Sequence, residues 1–188
     1  MISFAEAAYS IRGALRIARG DIGGLDHFDD SHERFWRSFW AAAYAAPLIV
    51  VIYLVNDLPQ PPKSWARYFL VNGLTYVIAF FLWPLVMVFV SRWLDREARF
   101  CRYIMTYNWA QVVGTGFHLV ILLIAVGMFP GKSAQVLIVF AYLVVLFYEW
   151  FITRLALDVT GLQAAGIVVL NVVVAIFLAV ATGRLAIS

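Results

Sequence analysis

Residues 103–131 read YIMTYNWAQVVGTGFHLVILLIAVGMFPG, a run of 29 residues without a charged side chain. An α-helix needs about 20 apolar residues to cross a bilayer, so this run is long enough for one membrane span. Four other stretches carry almost no charge. Together the five runs predict transmembrane helices at about residues 38–56, 68–91, 104–129, 133–152 and 162–183.

The composition of the 188 residues excludes most soluble classes of protein. Hydrophobic residues make up 64% of the chain and charged residues 13%, whereas an ordinary soluble domain is about 45–50% apolar and about 25% charged. A soluble fold of this length could not bury so many apolar side chains. We therefore predict an all-α polytopic membrane protein, in which residues 1–34 form a cytoplasmic, interfacial segment and residues 35–188 form a five-helix transmembrane domain.

The basic residues predict the orientation in the membrane. Ten arginines fall in the segments that would share a side with the N-terminus, and four basic residues fall on the other side. Because Lys and Arg concentrate in cytoplasmic loops, we expect a cytoplasmic N-terminus and an external C-terminus, in a bacterial inner (plasma) membrane. The net charge of +3 is typical of such a protein and does not indicate a nucleic-acid partner.

The first 20 residues predict an amphipathic helix that lies on the membrane. Phe4, Ile11 and Leu15 share one face of a helical wheel, as in interfacial helices. Three basic side chains flank that face and would contact lipid phosphates or acidic groups of a partner at the membrane surface: Arg12, Arg16 and Arg19.

Residues 27–33 support two interpretations. His27, Asp29 and His32 carry groups that can bind a divalent ion, but their spacing matches no closed metal motif. Asp30 and Glu33 have the spacing of a capping box, which predicts that a helix begins with Asp30 as its N-cap. We favour the second interpretation and assign no metal-ligating residue.

A polar stripe runs along the third predicted span. Asn108, Gln111, Thr115 and His118 are spaced i, i+3, i+7 and i+10, so they lie on one face of a helix. Because polar groups are costly in hydrocarbon, this face must contact other helices or water. The stripe could supply hydrogen bonds between helices, line a path for a polar solute or ion, or offer His118 as a metal ligand.

Glu149 is the carboxylate that falls within a predicted span. It lies near the C-terminal, cytoplasmic end of the fourth span, at about the depth of Asn108. It could pair with an arginine such as Arg102 or Arg154, or it could form a proton or cation site with Gln111 and Asn108.

The sequence contains no P-loop, GxSxG, HExxH or GxGxxG motif. We therefore predict no catalytic residues, no cofactor-binding residues and no cofactor, and we expect that the protein is not an enzyme.

The layout of the chain resembles the Yip1-type membrane proteins, with a basic N-terminal segment followed by five spans. The blocks FDDSHERFWRSF at 28–39 and RYIMTYNWAQ at 102–111 are similar to blocks in uncharacterised bacterial members. The DLYGP-like block of the eukaryotic members is missing, because residues 57–60 read DLPQ. A role in vesicle traffic and the functional residues of that family are therefore not transferred.

Two functions remain. The leading expectation is a non-enzymatic membrane protein that binds or scaffolds a membrane-protein partner, or organises lipid. Faces of small residues, such as Ala175 and Ala179 in the fifth span, favour a membrane-protein partner or a homo-oligomer, because small residues let helices approach closely. The alternative is a small transporter or channel, as a single chain or as an oligomer, that uses the polar stripe and Glu149.

Overall fold

The computed structural model describes residues 2–57, 59 and 61–187, with side chains as far as Gly183. Met1, the first residue of the predicted N-terminal segment, lies outside the described residues. So does Ser188, the last residue of the predicted transmembrane domain. The described part holds no strand, and its helices are α1 (Phe4–Ala18), α2 (His32–Ser38), α3 (Ala41–Asp57), α4 (Trp65–Trp93), α5 (Glu97–Met128), α6 (Lys132–Leu157) and α7 (Gly161–Ile187).

Five helices are long and apolar enough to cross a membrane, which confirms the predicted all-α fold with five spans. Helix α6 includes Glu149 and still runs for 26 residues. Helix α5 begins at Glu97, seven residues before the predicted span, because its charged first turns extend the helix beyond the apolar run.

The turns of the bundle identify which helix ends lie together. The Arg96 side chain donates from Nε to the carbonyl of Asp158 at 2.9 Å, which joins the α4–α5 turn to the α6–α7 turn. Arg102 donates from Nε to the carbonyl of Phe28 at 2.9 Å, which brings the N-terminal segment to the same end. We call this end the N-terminal side.

Helix α5 is the centre of the bundle. It packs against α3, α4 and α6, and its first half also packs against α1 and α2, whereas α7 packs against α4 and α6. Every residue from Tyr103 to Ala110 is buried as a result. The core of the molecule therefore lies around the first half of α5.

Helix α1 has two different apolar faces. Ala7, Ala14 and Ile17 are buried against the rest of the protein, and the Tyr148 hydroxyl donates to the carbonyl of Ala14 at 2.7 Å. On the face that was predicted to meet the membrane, Phe4 is 82% and Leu15 39% exposed, whereas Ile11 is partly buried against the core. The N-terminal segment is therefore docked on the bundle and still presents an apolar surface.

Two glycines permit the close approach of α1 to the following 3₁₀ helix, Ile22–His27. A Cβ atom at Gly13 would lie 2.5 Å from the Cβ of His27, and one at Gly24 would lie 2.6 Å from the carbonyl oxygen of Gly13. Real Cβ atoms do not come so close to their neighbours, so both positions need glycine.

The prediction that Asp30 is the N-cap of α2 is wrong, because Ser31 has that role. The Ser31 hydroxyl accepts a hydrogen bond from the backbone N–H of Arg34 at 3.5 Å. Asp29 accepts from the backbone N–H of Ser31 at 3.1 Å and forms a turn that precedes the helix. The N-cap is therefore one residue later than the capping-box spacing implied.

Candidate functional site

A cavity of about 400 Å³ lies inside the membrane-spanning bundle, and all five long helices contribute to its wall. Its polar side chains include most of those that the sequence singled out. Those predicted from the sequence are Gln111, Thr115 and His118 from α5 and Glu149 from α6. The structure adds Asn171 from α7 and four tyrosines from four different helices: Tyr53, Tyr76, Tyr107 and Tyr142.

Asn108 is separated from the other three members of the predicted stripe. Its side chain is buried and donates from Nδ2 to the Ser38 hydroxyl at 2.9 Å. Ser38 in turn donates to the carbonyl of Phe35 at 2.7 Å. Asn108 therefore supplies the interhelical hydrogen bond that was one of the alternatives, while Gln111, Thr115 and His118 line the cavity.

Glu149 lies at the wall of the cavity and is only 8% exposed. Its Oε1 accepts a hydrogen bond from Asn171 Nδ2 at 2.5 Å. The two arginines that the sequence offered as partners are used elsewhere: Arg102 bonds the carbonyl of Phe28, and Arg154 lies over the ring of Trp150 at 5.7 Å. Among the described residues the carboxylate is paired with an amide and makes no ion pair with an arginine.

Asn171 joins three helices at this point. Besides Glu149 of α6, it donates from Nδ2 to the Tyr107 hydroxyl of α5 at 2.9 Å. A carboxylate removed from water needs such a donor, because unpaired polar groups are costly to bury. The pairing of Asn171 with Glu149 was not predicted from the sequence. The available signal was an asparagine in an otherwise apolar span, opposite a span that carries a carboxylate.

Aromatic side chains form much of the remaining wall. Rings come from α3, α4, α5 and α6, and the Tyr142 ring meets the His118 ring edge to face at 6.5 Å. The Tyr76 hydroxyl donates to the carbonyl of Ala42 at 2.9 Å, which fixes the ring between α3 and α4. The site therefore combines one carboxylate with several π-faces, which attract cations.

The two ends of the cavity differ in the exposure of their side chains. On the N-terminal side, Trp83 and Tyr103 are buried, and the indole N–H of Trp83 donates to the Tyr103 hydroxyl at 3.2 Å. Farther from that side, the wall includes Tyr142, which is 51% exposed, and Ala175, which is also exposed. The N-terminal side of the cavity is therefore bounded by buried side chains, whereas Tyr142 of α6 and Ala175 of α7, farther along its wall, are exposed.

The described residues include no group of three or more His, Cys, Asp or Glu side chains that could hold a metal ion. In the segment that the sequence offered for such a site, His27 is buried and stacks on Tyr9, with ring centroids 4.4 Å apart. Asp29 binds Arg34 at 2.7 Å. These side chains hold the N-terminal segment together.

Of the three arginines that were predicted to contact the membrane surface, Arg12 and Arg16 lie on α1 and Arg19 is its C-cap residue, and none of them lines the cavity. Arg16 pairs with Asp21, with Nε and Oδ2 separated by 2.6 Å. This hydrogen bond holds the pKa of Asp21 below its ordinary value. Arg12 and Arg19 are exposed and make no ion pair with any described residue.

Comparison with known proteins gave no match: no family model, no curated protein and no solved structure is similar to this chain. The resemblance to the Yip1-type proteins therefore stays a prediction, and the function must be argued from the site itself.

Proposed function

We propose that this protein is a non-enzymatic, small membrane transporter that binds an organic cation in the central cavity, which is the second of the two functions expected from the sequence. The observation that carries the proposal is Glu149, a buried carboxylate that shares a cavity with aromatic rings and whose hydrogen bond comes from an uncharged amide.

The charge of the ligand follows from the cost of burying a carboxylate. An ion inside a membrane is costly unless a partner of opposite charge approaches it. The Asn171 amide orients Glu149 but leaves its charge uncompensated, and the rings of Tyr107 and Tyr142 add cation–π attraction. The volume of about 400 Å³ is in the ordinary range for small-molecule sites, roughly 300–1,000 Å³.

The case for transport, as opposed to binding alone, comes from the unequal ends of the cavity. Transporters expose a site near the bilayer midplane to one side at a time. The buried Trp83–Tyr103 pair lies at the N-terminal end of the cavity, whereas Tyr142 and Ala175, farther along its wall, are exposed, and this difference between the two ends supports the proposal of transport.

Calorimetry on the purified protein tests the ligand class. We expect benzyltrimethylammonium to bind and its neutral carbon isostere not to bind. Glu149→Gln, which keeps the shape of the side chain, should weaken cation binding at least tenfold. Glu97→Gln is the matched control, because Glu97 is exposed in the first turn of α5. Equal binding of the neutral isostere, or unchanged binding in Glu149→Gln, would contradict the proposal.

Flux measurements separate a transporter from a binding protein. Proteoliposomes that contain the protein should accumulate labelled benzyltrimethylammonium faster than empty liposomes, and Glu149→Gln should abolish the difference. Binding without any uptake would reject transport and retain only the cation site.

A membrane-protein scaffold or homo-oligomer is the second candidate, and the exposure of Ala175 and Ala179 on α7 favours it. Small exposed residues offer a surface on which another helix can pack closely. Ala179→Leu should break an assembly that depends on this surface, as measured by crosslinking in native membranes, and should leave cation binding unchanged.

We also propose that the protein lies in a bacterial inner membrane with its N-terminus in the cytoplasm, on the basis of the unequal distribution of basic residues. Reporter fusions should give a cytoplasmic signal at the N-terminus and an external signal after residue 188. Signals from both ends on the same side would contradict this orientation.

A further inference from the structure

A second, larger cavity lies on the outside of the bundle. It is an apolar groove of about 890 Å³ between α5 and α6, at the place where α1 crosses them. On α5 it reaches from Val112 to Val120, which is about 12 Å along the helix axis at 1.5 Å per residue. The groove therefore extends from the docked N-terminal segment well into the apolar part of the bundle.

A basic concavity adjoins this groove. It has a volume of about 460 Å³, follows α1, and is lined by Arg12, Arg16 and Arg19. Ile11 and Leu15 line both the concavity and the groove, so the basic and the apolar surfaces meet at these two side chains.

The arginines of the concavity differ in what they bind. The charge of Arg16 is compensated by Asp21 at 2.6 Å. Arg12 and Arg19 make no ion pair and no side-chain hydrogen bond with any described residue. Arg12 lies in α1 and Arg19 is its C-cap residue, and the seven positions between them amount to about two helical turns, so both residues come to the same side of the segment. Two uncompensated guanidinium groups beside an apolar groove complement a molecule with an anionic head and an apolar tail.

We propose that an anionic phospholipid occupies this site, with its phosphate between Arg12 and Arg19 and an acyl chain in the groove between α5 and α6. A guanidinium group binds phosphate oxygens through paired N–H donors. The groove excludes a free phosphate as the whole ligand, because its walls offer valine and phenylalanine side chains to a chain of methylene groups. The groove shares only Gly114 and Val145 with the wall of the cation cavity, and the proposal does not depend on the proposed function.

Native mass spectrometry of the detergent-purified protein tests the proposal, with phosphatidylglycerol and phosphatidylcholine as probes. We expect phosphatidylglycerol to bind at least tenfold more tightly. The double variant Arg12→Gln/Arg19→Gln should bind it about thirtyfold more weakly, as expected for the loss of two interfacial arginines. Arg92→Gln/Arg99→Gln is the matched control, because it removes the same charge from exposed positions on the same side of the bundle.

Two further measurements examine the groove. Val120→Phe, which narrows its far end, should weaken binding of long-chain phosphatidylglycerol more than binding of a six-carbon form. Inorganic phosphate should not displace the lipid. Equal affinity for both headgroups, equal losses in the two double variants, or displacement by inorganic phosphate would each overturn the proposal. Binding of the lipid only after a partner protein has been removed would also overturn the proposal, because a protein helix would then be the native occupant of the groove.

Discussion

The half of the bundle next to the N-terminal segment and the half on the opposite side differ in how their side chains pack. In the first half, α5 is surrounded by α1, α2 and three long helices, and every residue from Tyr103 to Ala110 is buried. In the second half of α5, buried positions are spaced apart, at Gly114, Leu119, Leu122 and Ala125. A short docked segment thus turns one end of a membrane bundle into a closed core and leaves space for a polar cavity above it.

The largest expected effect compares two tryptophans on the N-terminal side. Trp109 is buried beside Tyr44, with ring centroids 5.7 Å apart, whereas Trp93 is 83% exposed. Trp109→Ala should lower the free energy of unfolding by about 3–5 kcal/mol, because it leaves a large hole in the core. Trp93→Ala should change it by less than about 0.5 kcal/mol. Unfolding in mixed detergent measures both, and equal losses would refute the description of a packed end.

The next effect concerns the polar contact at the cavity wall. Asn171→Ala removes the hydrogen bond to buried Glu149 and should cost about 1–3 kcal/mol, the penalty for an unsatisfied buried group. Asn72→Ala is the control, because Asn72 donates only to the carbonyl of Tyr68 in its own helix. Adding Glu149→Gln to Asn171→Ala should recover part of the loss, and the lack of any recovery would show that the charge of Glu149 is not the cause.

A glycine pair tests how tightly the N-terminal segment is docked. Gly13→Ala introduces a methyl group that would lie 2.5 Å from the Cβ of His27, so we expect a loss of about 1–3 kcal/mol and faster proteolysis of residues 1–20. Gly73→Ala in α4 meets no atom within 4 Å and should leave proteolysis unchanged. If both variants resisted protease like the wild type, α1 would not be held by this contact.

The smallest expected effect is a pH dependence of the same segment. The hydrogen bond from Arg16 lowers the pKa of Asp21, so the folded state favours the charged carboxylate. Its contribution is present above the ordinary pKa of an aspartate, roughly 4, and is lost as the pH falls through the lower folded value. Protease access to residues 1–20 should therefore rise slightly on strong acidification. Asp21→Asn should remove this pH dependence, and an unchanged pH profile in that variant would assign the effect to another group.

The packing of the two halves also explains which parts of the site the sequence could reveal. Gln111, Thr115 and His118 were found from spacing because they lie on one face of one helix, and spacing within a helix is fixed by its geometry. Asn108 fits the same spacing but contacts α2. The periodicity of α5 does not show that α2 lies next to it. Glu149 was found from its charge, whereas its partner Asn171 is 22 positions away in the chain.

The amino-acid sequence by itself determined the all-α class, the five helices that are long and apolar enough to span a membrane, and the presence of a helix at the N-terminus. Length and hydropathy decide these features, because a bilayer requires about 20 apolar residues for each span and rejects unpaired charge. Only the tertiary structure decided that Glu149 binds an amide and not an arginine, that buried side chains bound one end of the cavity, and that α1 buries Ala14 while it exposes Phe4. These features depend on how each helix is rotated toward its neighbours, and that rotation is set by side-chain packing between segments that are distant in the chain.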